Sequence, residues 1–451
     1  MNDSVRLLFI SVIAAIVILR EIRAREAITA SPDVGQIIKD LDGLHIDGTG
    51  SALERGASCK VDVQKDLPGS DQVQPLYLRP NTNAYWLPNA KGQLEIPRGA
   101  VIELHCSGTF VDMTTELRSI KVKCLQDTLF QWAGAKLEFR KFVCSQYIPY
   151  TVEKLDSRCG NILEFSSQQS SPDQAHLYRV GYDIGDGRFV QTMELCHDPH
   201  TLRTHYAYHQ MTPASVHYQR NVKRTKFSTA GHFQGYDMGK IYSHSHQQSL
   251  LGGPPDGLMN AKTGLFLARG HLAAKADLIY ASQQRSSFNY MNAAPQWQIF
   301  NGGLWANLEE ATRRFVADAG ITVSVYTGIY GQMPLPEHPD AGLHLATDAN
   351  NNEVLAVPRL FYRVLIDNAQ PWRGIALLGV NNPHVTLAQI HESYVICDPI
   401  EEQVPWLRWL SKGNEKSKLR KGYLYACSVS DLARVVKELP SHLLEVEALL
   451  T

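Results

Sequence analysis

The sequence has no charge excess to speak of. Lys and Arg number 44 and Asp and Glu 45, a formal net charge of -1 over 451 residues. That excludes a globally basic nucleic-acid-coating protein and leaves only local basic patches to bind a polyanion. No internal repeat or low-complexity tract breaks the chain. The composition, 44% hydrophobic and 20% charged, is ordinary for a globular protein and excludes a disordered or fibrous chain. No apolar run reaches the ~18 residues of a membrane helix, so no stable membrane association is expected. The CxxC spacing of thiolate metal sites is also missing.

The chain does hold a short apolar run, Leu7 to Leu19, after Arg6 and before Arg20, Arg23 and Arg25. Such a run suits an export signal over residues 1–26, with an uncleaved anchor as the alternative. A secreted protein follows from that reading. The eight cysteines then read as disulfides. Cys397 and Cys427 lie far from the other six and are expected to pair. The remaining six allow ~15 connectivities, among which sequence does not choose.

At about 150 residues per domain the length suggests two or three domains. Residues 27–58 are expected to be a poorly ordered lead-in. Short alternating runs at Val101–Cys106, Ile120–Cys124 and Leu137–Cys144 predict a small disulfide-stapled all-β domain over 59–160. From residue 165 to 451 strand-like runs (Leu177–Tyr182, Val323–Thr327, Leu360–Ile366, Ile375–Val380) surround helical patterns. Trp297 to Asp318 reads as one helix, and Asp431 to Leu450 as another capped by Ser430. The fold class expected is α+β, a mixed arrangement of sheets with inserted helices.

Chemistry concentrates between Leu267 and Arg313. If residues 297–318 are one helix, Asn301, Trp305, Glu309 and Arg313 recur every four positions and share a broad stripe. An amide, a carboxylate and a guanidinium there are costly to bury without partners. Phosphodiester hydrolysis could use them. His271 would take a proton from water, since its ordinary pKa lies near neutrality. The Asn301 oxygen is a hard ligand for a mostly hydrated Mg²⁺, with Glu309 holding its waters. Arg269 and Arg313 would neutralise phosphate oxygens. A solvated helix face with a chance Arg-Gly-His tripeptide is the plain alternative.

These blocks resemble a known family. Leu267-Ala-Arg-Gly-His-Leu-Ala273, Asn292-Ala-Ala-Pro-Gln296 and Phe300-Asn-Gly-Gly-Leu-Trp-Ala-Asn-Leu-Glu309 look like the DNA/RNA non-specific endonucleases, the ββα-metal nucleases. The likeness continues through Tyr326-Thr-Gly328. The segment around Gly181 and Cys196-His197-Asp198 is similar to secreted arthropod double-stranded-RNA nucleases. The resemblance implies His271 as general base, Asn301 as the direct metal ligand and Glu309 on metal-bound water. It implies Arg269 and Arg313 as phosphate-stabilising groups and Asn292 as a helper near the base. Mg²⁺ is the implied cofactor, with Mn²⁺ as substitute, and RNA and DNA are the implied substrates. Ala268 departs from the family's DRGH, a change expected to affect the orientation and pKa of the His and able to cost ~10–100-fold.

Two basic clusters are candidates for phosphate contact: Arg220, Lys223, Arg224 and Lys226, and Lys412, Lys416, Lys418, Arg420 and Lys421. Solvated charge is the alternative. His244-Ser-His246 would put two rings on one face of a strand as half of a zinc site, or lie in a surface loop. The competing functions are therefore a Mg²⁺ nuclease, a nucleic-acid binder that has lost catalysis, and a zinc hydrolase.

Overall fold

Alternating side chains build most of the strands. β1 (Cys59–Asp62) pairs with β3 (Gln93–Ile96). β2 (Leu76–Leu78), β4 (Val101–His105), β5 (Ser119–Gln126), β6 (Leu129–Trp132) and β7 (Ala135–Glu138) form a five-stranded sheet in that order. β5 alternates buried Ile120, Val122 and Cys124 with more exposed Lys121, Lys123 and Leu125, the pattern of a sheet with one wet face. The expected strand Leu137–Cys144 stops at Glu138, where Phe139–Lys141 turns into a short 3₁₀ segment. The computed structural model describes residues 56–451 except 70, 114–115, 160–174, 255–256, 336–340, 411–413 and 415, and omits the side chains of 416 and 417. The expected signal at 1–26 and nearly all of the lead-in at 27–58 therefore lie outside the described residues.

A second sheet carries the rest of the chain. Its strands are β8 (Thr151–Arg158), β9 (His176–Asp183), β10 (Phe189–Asp198), β11 (Arg203–Met211), β14 (Val323–Tyr330), β17 (Leu360–Asp367), β18 (Arg373–Val380) and β19 (Leu424–Cys427). They run in the order β19-β18-β17-β14-β11-β10-β9-β8, all antiparallel, with β20 (Ala448–Leu449) added parallel to β18, while β15 (His344–Thr347) and β16 (Glu353–Ala356) pair with each other outside it. β17 is buried at every position because both faces of the sheet are covered. Phe361 and Leu365 enter one core, and Leu360, Tyr362, Val364 and Ile366 the other. Arg363 sits within this apolar strand, also fully buried.

On one face of that sheet lies a separate hairpin, β12 (Leu267–His271) with β13 (Ala293–Trp297). One helical turn (Gln298–Phe300) and a widened turn (Asn301–Trp305) follow, then α3 (Ala306–Ala319). The earlier helices are α1 (His244–Leu251) and α2 (Ala281–Ser286). Residues 297–318 are thus not the single helix expected. Gly303 takes φ -106° and ψ -117°, outside the helical region, and kinks the run between Asn301 and α3.

The C-terminal helix is also shorter than expected. α4 spans Val429–Val435, and Ser428, not Ser430, caps it by accepting from the Asp431 N–H at 3.2 Å. Beyond Val436 the chain becomes a 3₁₀ turn, Ser441–Glu445, after Pro440. Four disulfides hold the fold: Cys59–Cys124, Cys106–Cys144, Cys159–Cys196 and the expected Cys397–Cys427. No described helix is long and apolar enough to cross a membrane.

Candidate active site

In β12, Arg269 and His271 are two apart and share one face of the hairpin. Gly270 points to the other face, where a side chain would collide with Gln296 Oε1. The His271 ring lies against Phe227 at 5.1 Å and Phe288 at 5.0 Å between centroids. Burial lowers its pKa from 6.5 to about 3, and the nearby positive Arg224 and Lys275 push the same way. The expectation of an ordinary, near-neutral pKa is therefore corrected: this imidazole is held neutral. Its Nε2 is buried and makes no hydrogen bond.

Arg269 is caged by rings rather than by acids. Its guanidinium lies 5.1 Å from Tyr242, 5.5 Å from Tyr290 and 5.8 Å from Phe227, favourable cation–π distances. It borders a cleft of about 700 Å³ that Lys226, Phe227, Thr229, Tyr236 and Tyr290 also line. Asn292 is fully buried and spends its amide on the backbone. Its Oδ1 accepts from the Ala273 N–H at 2.8 Å, and its Nδ2 donates to the carbonyls of Ala273 and Ser287, each at 3.0 Å. It fixes the turn that follows His271.

Around α3 the polar groups are held by charge. Arg313 donates from Nη1 to Asp277 Oδ1 at 2.9 Å. Arg363 Nη2 and His209 Nε2 both meet Asp277 Oδ2, at 2.6 and 2.9 Å. Burial alone would raise the Asp277 carboxyl; Arg363, the hydrogen bond from His209 and Arg313 outweigh it and hold it well below the carboxylate range. Glu309 is half-buried in this neighbourhood. Burial, reinforced by the negative Asp277, pushes its carboxyl up to about 7. Asn301 lies on the widened turn, its Nδ2 donating to Gln298 Oε1 at 3.4 Å. The kink breaks the four-residue stripe between Asn301 and Trp305, and Trp305 is fully buried in the core.

Sequence reading missed His209, Asp277 and Arg363. Arg363 was the detectable one, a lone charge inside the apolar run Leu360–Ile366 that demands a buried partner. Arg224 is exposed and close enough to His271 to act on it electrostatically. Arg220 is exposed on the same segment, its N–H bonded to Gln64 Oε1 at 3.2 Å. In the second cluster Lys412 and the side chain of Lys416 lie outside the described residues, while Lys418, Arg420 and Lys421 are exposed. This cluster is not remote from the constellation: a side chain at Gly303 would lie 3.2 Å from the Lys421 carbonyl oxygen. His244 and His246 sit on α1, not on a strand, so their rings do not share a face. His246 Nε2 is bonded to the Leu345 carbonyl at 2.8 Å, and the described residues contain no metal-holding group of three His, Cys, Asp or Glu.

Residues 173–432 match the family described as DNA/RNA non-specific endonuclease, more than half of the chain. The chain belongs to that family. It is 24% identical to a salivary endonuclease of Lutzomyia longipalpis over 333 residues, 73% of each chain. It is 21% identical to the salivary protein Tsal2A of Glossina morsitans morsitans, covering 85% of this chain and 92% of the relative. A solved structure, the EndoG/EndoGI complex, aligns with 22% identity and a TM-score of 0.30 over 42% of this chain and 71% of that chain.

As a family nuclease the protein is a hydrolase that acts on nucleic acid and uses a divalent metal. The residues present fit such an ion. Asn301 brings a neutral hard oxygen, and Glu309 is a carboxyl under pressure from burial and from Asp277, a pressure a dication relieves. The departure at Ala268 falls on the face of β12 away from His271. There it opposes Gln296, whose buried amide makes no hydrogen bond.

Proposed function

We propose that this nuclease is a secreted, Mg²⁺-dependent endonuclease that cuts RNA, including double-stranded RNA, and DNA with little sequence preference. The observation that carries the reading is His271 beside Arg269 on one hairpin face, next to a cleft that Arg269 borders. His271 accepts a proton from the attacking water as its oxygen bonds to phosphorus and the P–O bond to the leaving sugar breaks. A neutral imidazole has a free lone pair for that proton, while its lowered pKa makes it a weaker base than an ordinary histidine. Arg269 and Arg313 bind the non-bridging oxygens, where negative charge accumulates. Asn292 keeps His271 in register through the backbone of Ala273.

Asn301 would hold Mg²⁺ directly and Glu309 through water. Once bound there, the ion would supply Lewis-acid stabilisation of the negative charge that builds up. Mn²⁺, a similarly hard cation, would substitute. Contacts to phosphate from Arg220, Arg224, Lys416, Lys418, Arg420 and Lys421 carry no sequence information, which supports broad specificity. In this reading residues 165–451 carry the chemistry and the β-rich 59–160 supports it. Secretion is supported by the apolar run at Leu7–Leu19, by four disulfides and by relatives named as salivary.

Digestion of plasmid and duplex RNA tests the reading. EDTA is expected to stop cleavage of both, and Mg²⁺ or Mn²⁺ to restore it. Full activity in chelator, or restoration by Zn²⁺ alone, contradicts it.

A further inference from the structure

Asp277 joins four separate elements. His209 comes from β11, Asp277 from the turn after β12, Arg313 from α3 and Arg363 from β17. The side chains of His209, Asp277 and Arg363 are each 0% exposed, and that of Arg313 is 9% exposed. The carboxylate divides its work between its two oxygens. Oδ2 takes the two wholly buried partners, Arg363 and His209. Oδ1 takes Arg313, the partner that reaches the surface. Arg363 is anchored further by Nη1 donating to Thr327 Oγ1 at 3.2 Å. On its other side the Arg313 guanidinium meets the Tyr218 ring at 5.7 Å.

An unanchored arginine samples many rotamers, and ordering it costs free energy each time it must meet a phosphate. Here one N–H is already committed to Asp277, and a guanidinium carries further donors with which to meet a second anion. We infer that Asp277 is a positioning residue for the nuclease reaction: it presents Arg313 to the substrate phosphate, and His209 and Arg363 hold Asp277 itself in place. The inference rests on the proposed contact between Arg313 and phosphate. It assigns the cluster a role beyond stability, because a merely structural acid would not couple to the catalytic effect of Arg313.

A mutant cycle reads that coupling. Asp277→Asn alone would strand Arg363, so it is combined with Arg363→Met, which removes both buried charges together. Arg313→Ala is then made in the wild-type and in the paired background, and kcat is measured on a short RNA duplex with Mg²⁺. In the wild type, losing a preorganised donor is expected to cost about 10²–10³-fold. In the paired background the same substitution is expected to cost less than about threefold, since Arg313 is already misplaced. Equal costs in the two backgrounds overturn the inference and leave the proposed function standing. No cost in the wild type removes Arg313 from the reaction and overturns the inference, while the reading carried by His271 and Arg269 stands. If the paired variant does not fold, rescue decides. Millimolar guanidinium should restore turnover saturably to Arg313→Ala, because Asp277 still forms half of a guanidinium site, while equimolar potassium should not. Absence of rescue then overturns the role assigned to Asp277.

Discussion

The two sides of the site hold their polar groups by opposite means. On the hairpin side, Arg269 and His271 are surrounded by Phe227, Phe288, Tyr242 and Tyr290. Around α3, Arg313 and Glu309 sit among the charges of Asp277 and Arg363. Rings exclude water and shift a pKa without supplying a counter-charge. Ions fix position but leave a costly buried charge when one member is lost. The difference teaches that one side sets protonation and the other sets geometry. The two should therefore fail in different ways when disturbed.

The largest effect is expected on the ionic side. Asp277→Ala leaves Arg363 buried without its carboxylate and should lower stability by about 3–5 kcal/mol. Urea unfolding measures it. A loss below about 1 kcal/mol would mean that the arginine finds water or another partner, and the contrast between the two sides would weaken.

The ring side should respond in pH dependence more than in stability. His271 is lowered from 6.5 to about 3, so the unfolded chain takes up this proton first as the pH falls. Its contribution to stability is full above pH 6.5 and is lost as the pH falls from 6.5 to about 3. Phe227→Ala admits water to the ring. The acid limb of kcat/KM should move up towards 6.5, and stability should fall less steeply with acid over the same window. An unmoved limb would assign the low pKa to Arg224 and Lys275 instead of to desolvation.

The smallest effect belongs to the surface charges, which neither side buries. Replacing Arg420 and Lys421 with Ser should weaken binding similarly across sequences and flatten the slope of log K against log salt by up to about 0.9 per lost contact on B-DNA. Because Lys421 abuts Gly303, beside Asn301, some loss of turnover is expected as well. An unchanged slope would leave the segment from Arg220 to Lys226 as the phosphate groove.

How much of this was legible in the sequence follows the range of the interactions. Leu360–Ile366 and Ile375–Val380 read as strands because buried central strands are continuous apolar runs, and both are strands. The family assignment was legible too, since its residues lie in short contiguous blocks. The cluster at Asp277 was not. Its partners are 36, 68 and 86 residues away in sequence, and no local pattern reports such pairings. The helix expected through Asn301 failed at the adjacent Gly302 and Gly303, where backbone freedom permits the kink. The tail stops being helical after Val435, ahead of Pro440, which a periodicity reading over Asp431–Leu450 passed over.

The most direct test of a hydrolase centred on the hairpin is the turnover of His271→Ala with saturating Mg²⁺ on duplex RNA and on plasmid. Its folding and substrate affinity should stay near those of the wild type, because His271 makes no hydrogen bond through Nε2 that the substitution would break. Cleavage of both substrates should fall by about 10²–10⁴-fold, the usual contribution of a general base. A variant that folds, binds and keeps more than about a tenth of wild-type turnover would contradict the role of His271 and, with it, the chemistry assigned to this site.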